Sequence, residues 1–237
     1  MCPSIREAAK SVLLYPLITF REESHSSRDR AAAAWNISPD MKLPAFLSVV
    51  AMALSPMAVH HAIAADADEV AVIETTKGPI VVEFWPDVAP ETVANFKKLA
   101  NQKFYDGTAF HRILDGFMIQ GGDPLTKDAS KEALWGTGDP GYKIKAEFND
   151  KPHDRGVLSM ARSQDPNSAG SQFFVMLGRA PHLDGQYTGF GKMIKGEETL
   201  AKIAATPVAP NAGGEPSKPL ERVGITSVKI VPRSSID

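Results

Sequence analysis

Between residues 70 and 231 the sequence predicts an all-β domain that carries two helices, on three observations. Eight short segments rich in apolar, β-branched and aromatic residues recur there, bounded by Gly, Pro, Asn, Asp and Ser. Two other stretches place apolar residues at helical spacing. No internal repeat or second domain is visible, so all these elements share one core.

Taken in order, residues 70–75 and 80–85 flank Thr76-Lys77-Gly78-Pro79 and read as an opening hairpin. Residues 90–100 follow as a helix. Pro90 stands where a missing N–H does no harm, Glu91 lies in the first turn, and Lys97-Lys98 lie near the end, as the helix dipole prefers. Val93, Phe96, Leu99 and Ala100 form its apolar stripe, a core face. Residues 109–113 and 117–121 are two apolar runs around Leu114-Asp115-Gly116, and an Asp-Gly turn between such runs signals a second hairpin. Strand alternation puts Phe110, Arg112 and Leu114 on one side of the first run and His111 and Ile113 on the other.

Residues 125–142 carry Gly136, Gly138, Pro140 and Gly141 and read as loop, with no catalytic role assigned. Residues 156–160 and 172–176 are strands joined by a polar loop over 162–170. A strand over 188–194, a short helix over 197–205 and a closing strand over 223–231 complete eight strands and two helices.

Composition excludes more than it identifies. A hydrophobic content of 43% with 23% charged residues is that of an ordinary globular protein, and a net charge of −2 gives no broad electrostatic case for nucleic acid or an anionic membrane. Cys2 is the only cysteine, so a cysteine nucleophile and cysteine-based zinc sites are excluded from the domain. The six histidines show no ligand spacing, and no metal or cofactor is expected.

The N-terminal region divides in two. Residues 1–40 hold no sustained period and read as disordered, or as an upstream over-extension of the reading frame with translation starting at Met41. Residues 41–65 have the layout of a signal peptide: Lys42, an apolar run over 43–59, and Ala62-Ile63-Ala64, whose small residues suit signal peptidase. Cleavage after Ala64 or Ala65 would leave residues 66–69 as a short linker, the domain at 70–231 and a tail at 232–237, without stable membrane association. The alternative is that the apolar run over 43–65 stays as a membrane anchor.

Two stretches carry the chemistry. FHRILDGFMIQGGDP, residues 110–124, sets a guanidinium, an aromatic ring, a thioether and an amide within a few positions. A hairpin alone would leave Arg112 as a rim residue. The second stretch, residues 156–191, holds Gln172 and Phe174 two apart and therefore on one strand face. With FHRI, GFMIQGGD, GVLSMA, GSQFFV, HLDG and FGKM in this order over about residues 70–231, the sequence resembles the cyclophilins, peptidyl-prolyl cis-trans isomerases, and most closely their secreted bacterial members.

The resemblance implies a closed eight-stranded antiparallel β-barrel with a helix at each mouth; closure also removes exposed edges. It implies a proline-ring pocket made by Phe117, Met118, Phe174 and Leu183. Gln120 and Gln172 would hold the substrate backbone or orient Arg112, Ala161 would lie beside the peptide path, and Tyr187 would complete the binding surface. His111 borders Arg112 as a wall or hydrogen-bonding residue rather than a proton shuttle. Three positions depart from the eukaryotic pattern: His182 where cyclosporin-sensitive members usually carry Trp, Tyr187 where His is usual, and Arg162 where Asn is usual. They bear on drug sensitivity and sequence preference, not on the reaction.

That reaction breaks no bond. Rotation about Xaa-Pro meets a barrier of about 18 to 20 kcal/mol because the nitrogen lone pair is delocalised into the carbonyl. In the twisted state the nitrogen becomes pyramidal and accepts a hydrogen bond that the planar amide cannot. An always-charged, multi-donor guanidinium suits that task, and Arg112 is the expected catalytic residue. The expected substrates are proline-containing unfolded or exported polypeptides in the periplasm, handled by a monomer. The alternative from another class is a chaperone module that holds proline segments without needing turnover.

Overall fold

The computed structural model describes residues 68–236. The expectations for residues 1–67, including the signal peptide and its cleavage site, lie outside the described residues. Among these, no helix is long and apolar enough to cross a membrane, and no group of three His, Cys, Asp or Glu side chains is placed to hold a metal ion.

Strands β1 (Glu69–Thr75) and β2 (Gly78–Phe84) form the expected opening hairpin. Its turn is tighter than the sequence suggests, because Gly78 and Pro79 belong to β2. Thr75 Oγ1 accepts from Lys77 N–H at 3.1 Å and donates to the Gly78 carbonyl at 2.6 Å. Pro79 is tolerated because β2 pairs with its other neighbour only from Val81 onward, so no ladder bond is lost at the proline.

Helix α1 (Pro90–Asn101) follows with Pro90 in its first turn. Ala89 offers no side-chain cap, and Glu147 replaces it from a distant loop, accepting from the N–H groups of Glu91 and Thr92 at 2.9 and 2.8 Å. Phe96 on the buried face meets four rings, those of Phe84, Tyr105, Phe173 and Phe190, at centroid distances of 5.0 to 5.8 Å. Helix α2 (Glu197–Ala204) buries Leu200 and Ile203 in the same core.

The segment expected as one strand over 109–113 is two: β3 (Ala109–Phe110) and β4 (Arg112–Leu114), interrupted at His111. They pair with different partners, β3 with the last long strand, β11 (Val223–Pro232), and β4 with β5 (Met118–Gly121). The remaining barrel strands are β6 (Val157–Met160), β7 (Phe173–Met176) and β8 (Gly189–Lys195). The sheet order is β3-β11-β1-β2-β8-β6-β7-β5-β4, all antiparallel. Since its two end strands are neighbours in sequence, the sheet curls into a nearly closed barrel.

The break at His111 corrects the expected alternation. Phe110 lies in the core with Ile113, against Phe173 at 6.2 Å, whereas Arg112 and Leu114 face outward. A change of strand partner at His111 resets the side-chain parity, so Phe110 and Arg112 do not share a side.

A hairpin that the sequence did not announce, β9 (Val208–Pro210) with β10 (Pro216–Pro219), precedes β11. Its three strand prolines demote it as strand sequence and suit a small two-stranded edge element. The segment expected as loop over 125–142 begins within two 3-10 turns, Pro124–Lys127 and Ala129–Leu134. Pairing of β1 with β11 runs from Glu69↔Pro232, one residue beyond each end of the expected domain.

Candidate active site

Cross-strand register builds the site. Arg112 pairs with Gln120, Gln120 with Phe174, and Phe174 with Ser159, so four adjacent strands, β4, β5, β7 and β6, present one row on the outside of the barrel. Strand alternation then separates neighbours by face. Phe173 points into the core and Phe174 out of it, and Ile119 points in while Met118 and Gln120 point out.

A groove of about 500 Å³ lies over this row. Phe117, Met118, Phe174 and Leu183 supply its apolar wall. Met118, Phe174 and Leu183 are buried in a satellite cluster with Met176, and Phe117, Ala161 and Tyr187 pack against it. Arg112 and Gln120 border the groove, as do Ala161, Tyr187 and His182. The ring of His182 stacks on Phe117 with centroids 5.9 Å apart, and Tyr187 meets Phe174 edge-on at 5.8 Å.

Two of the expected residues stand elsewhere. Gln172 lines a second cavity of about 300 Å³ that shares Gln120, Ala161 and Arg162 with the groove. His111 borders neither; its ring lies beneath the loop, where a Cβ added at Gly136 would come within 3.5 Å of Nε2. Desolvation pushes His111 down to about 4 against the opposing field of Asp123, and the Arg112 charge pushes the same way. It is therefore neutral at physiological pH.

The guanidinium is held on two edges. Its Nε and Nη2 donate to the two carboxylate oxygens of Glu215, each at 2.7 Å, and Nη1 donates to Gln120 Oε1 at 3.4 Å. The chain of amides continues from there. Gln120 Nε2 donates to Gln172 Oε1 at 3.0 Å, and Gln172 Nε2 donates to the carbonyls of Gly136 and Gly138 at 3.0 and 2.8 Å. Of the two roles open for these amides, this geometry favours orientation of Arg112. The loop over 125–142 thus supplies the carbonyls that anchor this chain of amides. It is set by Asp123, fully buried, whose carboxylate accepts from the N–H groups of Leu125, Gly136 and Gly138.

Beneath Phe174 runs a second polar chain. His153, fully buried, contacts Asp184 Oδ1 through Nδ1 at 3.0 Å and Ser159 Oγ through Nε2 at 2.9 Å, and its ring stacks on Phe174 at 6.2 Å. Burial lowers the His153 pKa against the pull of Asp184. The connectivity is that of a hydrolytic triad, but Ser159 is fully buried and unreachable by a substrate, so the chain is a strut under the groove floor. Arg162, noted in the sequence only as a departure, stacks over Tyr187 at 4.6 Å and donates to the Gln186 carbonyl, which places it between the two cavities.

Comparison with known proteins decides the family. The family described as cyclophilin type peptidyl-prolyl cis-trans isomerase/CLD matches residues 70–230, more than half of the chain. The chain belongs to the cyclophilin-type isomerases. A probable peptidyl-prolyl cis-trans isomerase of Brucella abortus is 44% identical over 156 residues, which cover 64% of this chain and 80% of that protein. A peptidyl-prolyl cis-trans isomerase of Synechococcus elongatus is 51% identical over 122 residues, 52% of this chain and 78% of its own length. Among solved structures, a cyclophilin-type isomerase of Cryptosporidium parvum, crystallised in the presence of the dipeptide Ala-Pro, superposes with a TM-score of 0.61 at 33% identity, covering 68% of this chain and 98% of its own. As a cyclophilin-type enzyme, this protein is a peptidyl-prolyl cis-trans isomerase, and its class of substrate is the proline-containing polypeptide.

Proposed function

We propose that this isomerase acts on exported polypeptides in the periplasm, and that Arg112 stabilises the twisted Xaa-Pro amide. The observation that carries the mechanism is a guanidinium at the edge of a groove of about 500 Å³, next to its apolar wall, with two of its edges already bound. The wall of Phe117, Met118, Phe174 and Leu183 seats the ring. A remaining N–H of Arg112 then donates as the proline nitrogen becomes pyramidal, so the bond strengthens only as the amide twists. No acid or base is needed, in keeping with a neutral His111.

Binding and turnover separate in this reading. In an NMR exchange experiment, Arg112→Ala should bind a short proline peptide with affinity within a few-fold of the parent, because the ring pocket is intact, while enzyme-catalysed cis-trans exchange disappears. Loss of both together would argue that Arg112 only binds.

The export reading rests on the apolar run and the Ala62-Ile63-Ala64 site. The expected mature N-terminus is Ala65 or Asp66, checked by mass spectrometry of the exported protein. A mature species that keeps residues 1–40 would overturn it.

His182 governs inhibitor affinity in the same reading. Its ring covers one face of Phe117 at the groove rim, with less apolar area than an indole and without the indole donor. Cyclosporin is expected to bind weakly, and His182→Trp to tighten it by about 1 to 3 kcal/mol through added area and one hydrogen bond. An inhibition titration checks this, with kcat/KM on a short peptide staying within several-fold.

A further inference from the structure

Among the described residues, Glu215 is the one acidic side chain in an ion pair with Arg112, and nothing in the reaction itself requires it. Its two oxygens take Nε and Nη2, each at 2.7 Å, in the planar two-point geometry that fits a guanidinium and not an ammonium. The carboxylate comes from a built turn. Between β9 and β10, Asn211 Oδ1 accepts from the N–H groups of Gly213 and Glu215 at 2.9 and 3.1 Å, and Asn211 N–H donates to the Glu215 carbonyl at 2.8 Å. Asn211 Nδ2 also donates to Ser217 Oγ at 3.2 Å, and Lys218 on β10 pairs with Glu132 at 2.6 Å, which ties the hairpin to the 3-10 segment.

The side from which Glu215 approaches is informative. Arg112 borders the groove and Glu215 does not, so the carboxylate holds the guanidinium from its far edge and leaves the groove open. The opposite edge, Nη1, is turned toward Gln120, which borders the groove too. With both edges fixed, the plane of the fork and the direction of its remaining N–H groups are set. The fork also holds the Glu215 carboxyl below its usual range, so the pair is charged at neutral pH.

We propose that Glu215 is a positioning residue for isomerisation: it fixes the plane of the Arg112 guanidinium so that the donors around Nη1 face the twisted amide. This rests on Arg112 being the donor. Both side chains are about one-third exposed, at 32% and 35%, and a pair so placed adds little to stability, so its main effect is on geometry. Held in place in advance, the fork does not have to be ordered during the reaction.

The test uses the full chain and its Glu215→Ala, Glu215→Gln and Glu215→Asp variants. For Glu215→Ala, kcat on a short proline peptide should fall about tenfold with KM within about twofold and an unchanged melting temperature. Glu215→Gln keeps one acceptor and should fall less, whereas Glu215→Asp is too short to reach both nitrogens and should resemble Ala. The Arg112 Nε–H resonance, shifted and slow to exchange in the parent, should be lost in Glu215→Ala. In an Arg112→Lys background, Glu215→Ala should cause no further loss. A kcat within twofold of the parent, a gain in kcat/KM that would make Glu215 a brake, or a loss matched by a lower melting temperature each overturns the proposal. If Arg112→Ala itself retains turnover, the donor assignment fails first, and the two failures are distinguishable.

Discussion

Replacing Arg112 by alanine is expected to lower kcat/KM on a short Xaa-Pro peptide by about a hundred- to a thousandfold. The size follows from what the fork does. In the proposed mechanism it is the charged donor on the groove edge, and its contribution would appear in the twisted state and not in the planar one. The fold should hardly notice, because Arg112 projects from the outer face and is absent from the buried core. Arg112→Lys should recover little. An ammonium cannot offer parallel bonds to both oxygens of Glu215 and also reach Gln120, so the charge would remain while its direction is lost. Turnover within a few-fold of the parent, in a folded Arg112→Ala protein, would refute the assignment.

Asp123→Ala should be the most damaging single change to the loop that supports the site. Its carboxylate is fully buried and gathers three N–H groups, at 2.7 Å from Leu125, 2.5 Å from Gly136 and 3.3 Å from Gly138. Alanine leaves these donors without a charged acceptor, and a loss of about 2 to 4 kcal/mol in unfolding free energy is expected from denaturant titration. Activity should fall as well, since the displaced carbonyls of Gly136 and Gly138 are the acceptors for Gln172, and through it for Gln120. Asp123→Asn keeps one acceptor oxygen and should lie between. An unchanged midpoint in Asp123→Ala would show that the loop is set by other contacts.

Local pattern made part of this legible. The Asp-Gly turn gave the hairpin that carries Arg112, closed by Phe117 N–H donating to the Leu114 carbonyl with Gly116 at φ +71°. Two-residue spacing placed Gln172 and Phe174 on one face, although their polar and aromatic ends serve different cavities. Alternation puts Phe110 on the side of Arg112 only in a continuous strand, and this one changes partners at His111. Glu215 left no local trace at all. It lies 103 positions from Arg112 in a hairpin whose prolines hide its strand character, and an ion pair across such a span has no period to detect. Asp123 did leave one: Asp before Pro at the start of a short helical turn is a capping signal, and its side chain does accept from Leu125 N–H.

The row of Arg112, Gln120 and Phe174 lies on the exterior of the barrel, and that placement decides what kind of chain it can serve. A buried chamber would admit only a free end or a short fragment. An external row takes a segment from the middle of a long polypeptide, laid across it sideways, with no terminus to thread and no door to wait for. The chemistry permits such exposure, because a twisting amide passes through no acyl or phosphoryl intermediate that water could intercept. Shielding, which many enzymes obtain by closing a lid, is unnecessary here, so catalysis and release need no opening of the barrel itself.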